Sequence, residues 1–312
     1  MEFFQASFED IDEFCAMVQS WDVEMSPLTR INKGMLASAV AQYGSMDCQF
    51  GYYEFSTGLT MMGAPPNGLI TFNVREPSKK HYWWRGHDLD SSMAWVFPVG
   101  GELRSISAPG FQVHTLSVTE ELVAQIAASW GMDLPVDSKR PEVFHVPEQV
   151  LNQVLLRLNG MRNRKVGFSV DQAKEILQLL IPLWLQQITG EPSKRPAMRA
   201  RYRALRRSLE IIEASDMQEL TMDSLRRTCH VSERTLQYAF RECFEMSPAA
   251  FLKSIRLARV RSALLHSDPD HHRIGDIAAR QGIWHLGQFA VDYREKFGEL
   301  PSDTLARPGN SV

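Results

Sequence analysis

Leu220-Thr-Met-Asp-Ser-Leu-Arg-Arg-Thr-Cys-His-Val-Ser-Glu-Arg-Thr-Leu-Gln-Tyr-Ala-Phe-Arg-Glu-Cys-Phe244, followed by Ser247-Pro248, has a partner further along the chain. The partner is Arg273-Ile-Gly-Asp-Ile-Ala-Ala-Arg-Gln-Gly-Ile-Trp-His-Leu-Gly-Gln-Phe-Ala-Val-Asp-Tyr-Arg-Glu-Lys-Phe297, followed by Leu300-Pro301. Leu225 and Val231 match Ile277 and Ile283 at an offset of 52. Leu236, Phe240, Phe244 and Pro248 match Phe289, Tyr293, Phe297 and Pro301 at 53. The slip of one residue falls in a turn, where a chain tolerates it.

Each unit reads as a short helix, a tight turn and a longer helix. The apolar turn residue (Val231, Ile283) is expected to be buried where the helices cross, and the i, i+4, i+8 run pins the longer helix to a core. Ser232 is a suitable N-cap, and Asp223, Asp276 and Ser302 stand near other helix starts. The free face of the first long helix then offers Ser232, Glu233, Arg234, Gln237, Tyr238 and Arg241. Such a helix enters the DNA major groove, and Arg and Gln forks match guanine and adenine edges. The corresponding surface of the second unit holds Trp284, His285, Gly287, Gln288, Val291 and Arg294. Its outer face (Trp284, Leu286, Gly287, Ala290, Val291) has almost no hydrogen-bonding forks, which directs it to van der Waals contact, phosphates and shape. Between the units, Pro248–Leu265 reads as one continuous helix holding the motifs rigidly apart. Arg256 on it, with Arg241 and Arg294, is expected at phosphates.

Residues of about 200–306 resemble the tandem helix-turn-helix domain of the AraC/XylS transcription regulators. The carrying stretches are Val231-Ser-Glu-Arg-Thr-Leu-Gln-Tyr-Ala-Phe240, Met246-Ser-Pro-Ala-Ala-Phe-Leu-Lys-Ser-Ile-Arg-Leu257, Ile274-Gly-Asp-Ile-Ala-Ala-Arg-Gln-Gly282 and Phe297-Gly-Glu-Leu-Pro301. Trp284-His-Leu-Gly-Gln-Phe289 is similar to the branch containing the ethanolamine-utilisation regulators. His230 departs from the family, standing where glycine is common; a left-handed non-glycine residue carries a small cost. The resemblance implies double-stranded DNA as a partner, with RNA polymerase, a small-molecule effector and a second copy of the chain. The N-terminal part is loosely similar to the cupin-like sensor or dimerisation domains of the family.

Working outward, Thr189-Gly-Glu-Pro-Ser-Lys-Arg-Pro-Ala-Met198 reads as a linker. The expected division is a sensing and dimerisation domain over 1–190, a linker over 191–199 and the DNA-binding domain over 200–307, consistent with a chain of 312 residues. Residues 1–193 hold 14 basic against 22 acidic residues, a net −8, and 194–312 hold 20 against 15, a net +5. A basic half joined to an acidic one suits a polyanion partner.

The N-terminal half is expected to be α+β, a small β-barrel or sandwich with flanking helices; the C-terminal half is expected to be all-α. Helical spacing marks 8–20, 119–130, 147–158 and 169–188, where Pro182 should kink or break the helix. That last helix reads equally as a dimer seam or as the helix closing the domain. Strand-like runs are Leu69–Val74, His81–Trp84, Met93–Phe97 and Gln112–Val118. An aromatic group including Phe72, Trp83, Trp84 and Trp95, with Arg75 and Arg85 as anchors, is the candidate effector pocket, the alternative being an ordinary sheet core.

No catalytic residue, metal or cofactor is expected. His-x-His spacing and a Gly-x-Ser-x-Gly elbow are both missing, which argues against a cupin-like enzyme with a DNA-binding appendage. A further alternative is a regulator governed by a protein partner or by expression level. Cys15, Cys48, Cys229 and Cys243 lack CxxC spacing, and the start has no secretory pattern. No apolar run approaches the roughly 18 residues of a membrane span. The expected location is cytoplasmic.

Overall fold

A computed structural model of the chain describes residues 4–18, 20–28, 36–45, 47–78, 80, 82–84, 87–135, 142–163, 168–187, 200–269 and 271–307. The chain divides into two compact units. The first gathers Met1–Met25, Gly34–Ser56 and Met61–Arg195; the second gathers Ser26–Lys33, Thr57–Thr60 and Pro196–Val312. The expected linker 191–199, and with it His81 and Arg85, lies outside the described residues.

Ahead of the helical C-terminal part the chain forms β1 (Phe4–Phe8), α1 (Ile11–Met17), β2 (Asp22–Pro27), β3 (Ala37–Ser45), β4 (Cys48–Phe55), β5 (Leu59–Ala64), β6 (Ile70–Arg75) and β7 (Tyr82–Trp84). It continues with β8 (His87–Leu89), β9 (Met93–Phe97), β10 (Leu103–Ser107), β11 (Phe111–Val118), α2 (Glu120–Ser129), β12 (Val143–His145), α3 (Glu148–Arg162) and α4 (Val170–Gln186). One sheet has the order β1-β3-β4-β11-β6-β9-β12, the other β2-β5-β10-β7-β8. This is the expected α+β unit of β-sheet with flanking helices, built on a seven-stranded and a five-stranded sheet.

Side-chain alternation explains how the large sheet serves two layers. Leu116 lies opposite both Phe50 and Phe72 in register, and these residues, with Ile70, Val74 and Val118, pack against α2, α3 and α4. The residues between them face the other way. Thr71, Asn73, Arg75 and Thr115 are buried polar residues on that inner face, and Thr71 Oγ1 meets Ser117 Oγ at 2.8 Å. The cysteine of the outer layer behaves as a hydrophobe: burial pushes the Cys48 thiol up to about 12.

Two expectations change here. The helix expected over 8–20 starts only at Ile11, because Phe8 closes β1 and Asp10 Oδ1 accepts from the Asp12 and Glu13 amides at 2.7 and 3.2 Å. Pro182 does not break α4, which runs through to Gln186; the lost N–H lies in the last turns, and Ile176, Leu177, Leu180, Ile181 and Trp184 are buried in the outer core. The buried face of α4 is thus packed within its own unit.

From residue 200 onward the second unit is helical: α5 (Ala200–Ala214), α6 (Met222–Cys229), α7 (Glu233–Phe244), α8 (Pro248–Leu265), α9 (Ile274–Arg280), α10 (Leu286–Phe297) and α11 (Pro301–Leu305). Helix α8 starts at Pro248, suited to a first helical position, with Ser247 Oγ accepting from the Ala250 amide at 3.2 Å. Its two ends serve different motifs. Phe251 meets Phe240 and Phe244 of α7 at ring separations of 5.1 and 4.7 Å. Leu257, Val260 and Leu264 join Ile277, Phe289 and Tyr293 in a separate cluster. Burying one such side chain is worth about 1.5–3 kcal/mol, so this one helix is a shared core for both motifs.

Candidate nucleic-acid interface

The first motif is built by caps and one left-handed turn. Thr221 Oγ1 accepts from the Ser224 amide at 3.0 Å while Ser224 Oγ accepts from the Thr221 amide at 2.9 Å, which starts α6. Arg226 and Arg227 beside Asp223 hold its carboxyl below the usual range. His230 ends α6 at φ 52°, the strained conformation expected of it. Ser232 Oγ then accepts from the Thr235 amide at 3.2 Å and starts α7.

Leu236, Ala239, Phe240, Cys243 and Phe244 bury one side of α7, and Ser232, Glu233, Arg234, Tyr238 and Arg241 are exposed on the other. Arg234 extends towards Tyr238, and Gln237 is half-buried with no partner for its amide oxygen. Val231 is half-buried rather than buried, as is Ile283.

The second motif repeats the frame with different chemistry. Gly282 stands in its turn at φ +71°, and a Cβ there would lie 2.4 Å from the Met217 carbonyl oxygen, so only glycine fits. His285 caps α10 without a side-chain bond, and Phe289 and Tyr293 are buried. Burial pushes the Tyr293 phenol up; its hydroxyl meets Thr304 Oγ1 at 2.8 Å. Lys296 is also buried on the inner side, its Nζ donating to Ser254 O and Oγ, each at 2.7 Å; desolvation holds its pKa well below the usual lysine range. Trp284, His285, Gly287, Gln288, Val291 and Arg294 are exposed together.

Arg256 does not join them. Its Nη2 donates to the carbonyls of Met217 at 3.1 Å and Leu220 at 2.6 Å, beside Gly282. Where a phosphate contact was expected, this guanidinium ties α8 to the loop before α6, next to the turn of the second motif. Spacing alone gives no sign of it, because the two carbonyls belong to a loop 36 and 39 residues away.

The expected effector pocket is redrawn more heavily. The first unit holds a cleft with about 440 Å³ of space outside atoms, part of it open to solvent. Phe14, Tyr53, Tyr82, Trp95, Phe97 and Phe111 wall it, with Asn73 and Thr115 among the polar members. Of the expected residues only Trp95 is on this wall. Phe72 points to the outer layer, its ring 5.3 Å from Trp184. Trp84 meets Phe97 edge-on at 5.3 Å, inside the core but outside the wall, and Trp83 follows the opposite parity. Arg75 is buried but spent, donating to the carbonyls of Leu89 at 2.8 Å and Lys80 at 2.6 Å. The wall is uncharged. The indole N–H of Trp95 is buried without a hydrogen-bond partner. The polar-apolar alternation of β6 was the available signal for Asn73; the contributions of α1 and β2 to the wall had none.

Among the described residues no group of three or more His, Cys, Asp or Glu side chains could hold a metal ion, and no helix is long and apolar enough to cross a membrane.

A helix-turn-helix domain family matches residues 225–307. The chain is 37% identical over 101 residues to the "Probable thc operon regulatory protein" of Rhodococcus erythropolis, covering 32% of this chain but only 30% of that relative's length. It is 28% identical over 277 residues to the XylDLEGF operon transcriptional activator of Pseudomonas putida, covering 84% of this chain and 82% of the relative. The crystal structure of a "probable AraC family transcriptional regulator" from Rhodopseudomonas palustris is 38% identical, covering 34% of this chain and 98% of that one, with a TM-score of 0.31.

Proposed function

We infer that the chain is a member of the AraC/XylS family of helix-turn-helix transcription regulators, and on that premise propose that it activates transcription at a specific DNA site under the control of a small, largely apolar effector. The observation that carries the DNA-binding part is α7: its inner side is locked in the core by Phe240 and Phe244, and its outer side presents Arg234, Gln237, Tyr238 and Arg241. Activation is supported by the Pseudomonas putida relative, an activator that aligns over most of both chains. Membership in a regulator family sets the enzyme alternative aside. RNA polymerase and a second copy of the chain are the partners this reading adds to DNA.

Effector control is supported by the uncharged aromatic cleft of the first unit. An uncharged, largely apolar molecule would match this wall. The test is selection of duplexes from a randomised pool by the full chain, followed by thermal shift with a panel of small aromatic carbonyl compounds. An enriched sequence, and a ligand whose thermal shift Trp95→Phe removes, are expected. A pool without enrichment overturns the DNA-binding reading. An enriched pool with no stabilising ligand favours a purely dimerising first unit instead.

A further inference from the structure

We propose that the second recognition helix reads thymine methyl groups, so that α10 selects T-bearing steps by apolar contact while α7 selects hydrogen-bonding edges. The inference rests on the DNA-binding reading and deepens it.

The offset of 53 that aligns the cores of the two long helices also aligns their outer faces. Glu233, Arg234, Gln237 and Tyr238 of α7 correspond to Leu286, Gly287, Ala290 and Val291 of α10. Arg241 corresponds to Arg294. The flanking cation is retained, the cap Ser232 corresponds to His285, and the four side chains Glu233, Arg234, Gln237 and Tyr238 are each replaced by hydrocarbon or by nothing. Trp284, Leu286 and Val291 are 65%, 49% and 55% exposed, a cluster of large apolar groups at the start of one helix. The one fork nearby is engaged: Gln288 Nε2 donates to Asp292 Oδ1 at 3.0 Å, and Lys253 Nζ holds the other oxygen of that carboxylate at 2.6 Å.

Gly287 is the second, independent sign. A Cβ built on it meets nothing within 4 Å, so packing within the domain does not require glycine there. Glycine inside a helix is destabilising relative to alanine, and one that the fold does not need marks the close approach of another body. The body that suits this face has hydrocarbon of its own between two rows of phosphates. In the major groove only thymine displays a carbon group, the C5 methyl. Arg294 supplies the phosphate contact at the flank.

The experiment uses a site selected from a randomised duplex pool by the full chain, with each thymine replaced in turn by deoxyuridine. That change removes one methyl group and keeps every hydrogen-bonding group. At the thymines under α10, each replacement should weaken binding about fourfold, the value of one buried methyl-sized group. The paired variant Leu286→Ser/Val291→Ser should bind the thymine site more weakly and lose its sensitivity to those replacements. Gly287→Ala should keep or raise the melting temperature while weakening binding. Binding unchanged by deoxyuridine at every position overturns the proposal. So does a paired variant that binds thymine DNA like the parent yet fails to activate a reporter, which would assign this face to a protein partner. Failure to enrich any sequence removes the DNA-binding reading and this inference with it; enrichment without methyl sensitivity removes the inference alone.

Discussion

Arg234 reaches one turn along α7 to Tyr238, its Nη2 3.4 Å from the hydroxyl oxygen and its guanidinium carbon 5.5 Å from the ring centroid. Residues four apart share a helix face, so the pair restricts the arginine before any partner arrives. Less rotamer entropy is then lost on binding. Arg234→Ala and Gln237→Ala are each expected to cost about 1–3 kcal/mol on the selected site and little on random duplex. Fluorescence anisotropy on both DNAs checks this; equal losses would reduce these residues to phosphate contacts.

The arginines separate into two classes. Arg241 and Arg294 are exposed, whereas Arg256 is tied to the Met217 and Leu220 carbonyls. Replacing either exposed residue with alanine should lower the slope of log K against log salt by about one unit without altering sequence preference. Arg256→Ala should leave that slope unchanged and cost about 1.5–3 kcal/mol of stability through the lost charged hydrogen bonds. An Arg256→Ala protein with parental melting behaviour and a reduced slope would restore it to the interface.

Helix α8 gives the third prediction. Ala258 lies inside it, between Phe251 at the first motif and Leu264 at the second. Ala258→Pro removes an amide donor and clashes with the preceding turn, at about 3 kcal/mol or more. Footprinting with the parent chain should show two adjacent major grooves protected, roughly 34 Å apart. The variant should fall towards one-motif affinity, since its second helix no longer arrives preorganised. Protection of a single groove by the parent would make the second motif structural.

The first unit should weaken with acid. His114 is buried between Phe50 and Tyr52, its Nε2 2.8 Å from Glu76 Oε1, and Asn159 donates to the same oxygen at 2.9 Å. Its Nδ1 is buried without a partner, which fits a neutral ring with the proton on Nε2. Desolvation is the first cause holding its pKa below 6.5, and Arg162 adds to it, against the opposing pull of Glu76. Glu76 is held below 4.5, first by its bond to His114. In both cases the unfolded state binds the proton more readily, so stability is full above about pH 6.5 and falls on acidification. The His114 part is lost as pH drops below 6.5, the Glu76 part only below about 4.5. His114→Gln keeps a donor for Glu76 and should flatten the upper limb of this loss. Denaturant midpoints followed by tryptophan fluorescence report on this unit, because only Trp284 of the seven tryptophans lies outside it. A variant with the parental pH profile would dismiss the pair as its source.

The interface was far more legible than the cleft. Ser232 as cap, Phe240 and Phe244 as inner anchors and Arg234 and Tyr238 as outer groups all follow from positions within one turn or two, where helical geometry leaves little freedom. Arg256 escaped because a long side chain on a half-exposed helix position can turn either to solvent or to a carbonyl, and its carbonyls come from a distant loop. The cleft escaped for a related reason. Trp83 and Trp84 are adjacent in sequence yet occupy opposite faces of a strand, and Phe14, Val18 and Trp21 reach the wall from α1 and its exit.

Sequence alone therefore determined the repeat, the helices of the second unit, the spacer and the polarity of both recognition faces, because each depends on periodicity along a local, cooperative element. Tertiary structure decided what alternation cannot. Phe72 and Asn73 are neighbours on β6, but which faces the helices and which the cleft depends on what covers each side of the sheet. The same holds for Arg75, whose charge reads as a ligand anchor until folding brings the Leu89 and Lys80 carbonyls within 2.8 and 2.6 Å of it. Those partners lie five and 14 residues further along, and they reach the guanidinium only once the turn and strands between them have closed.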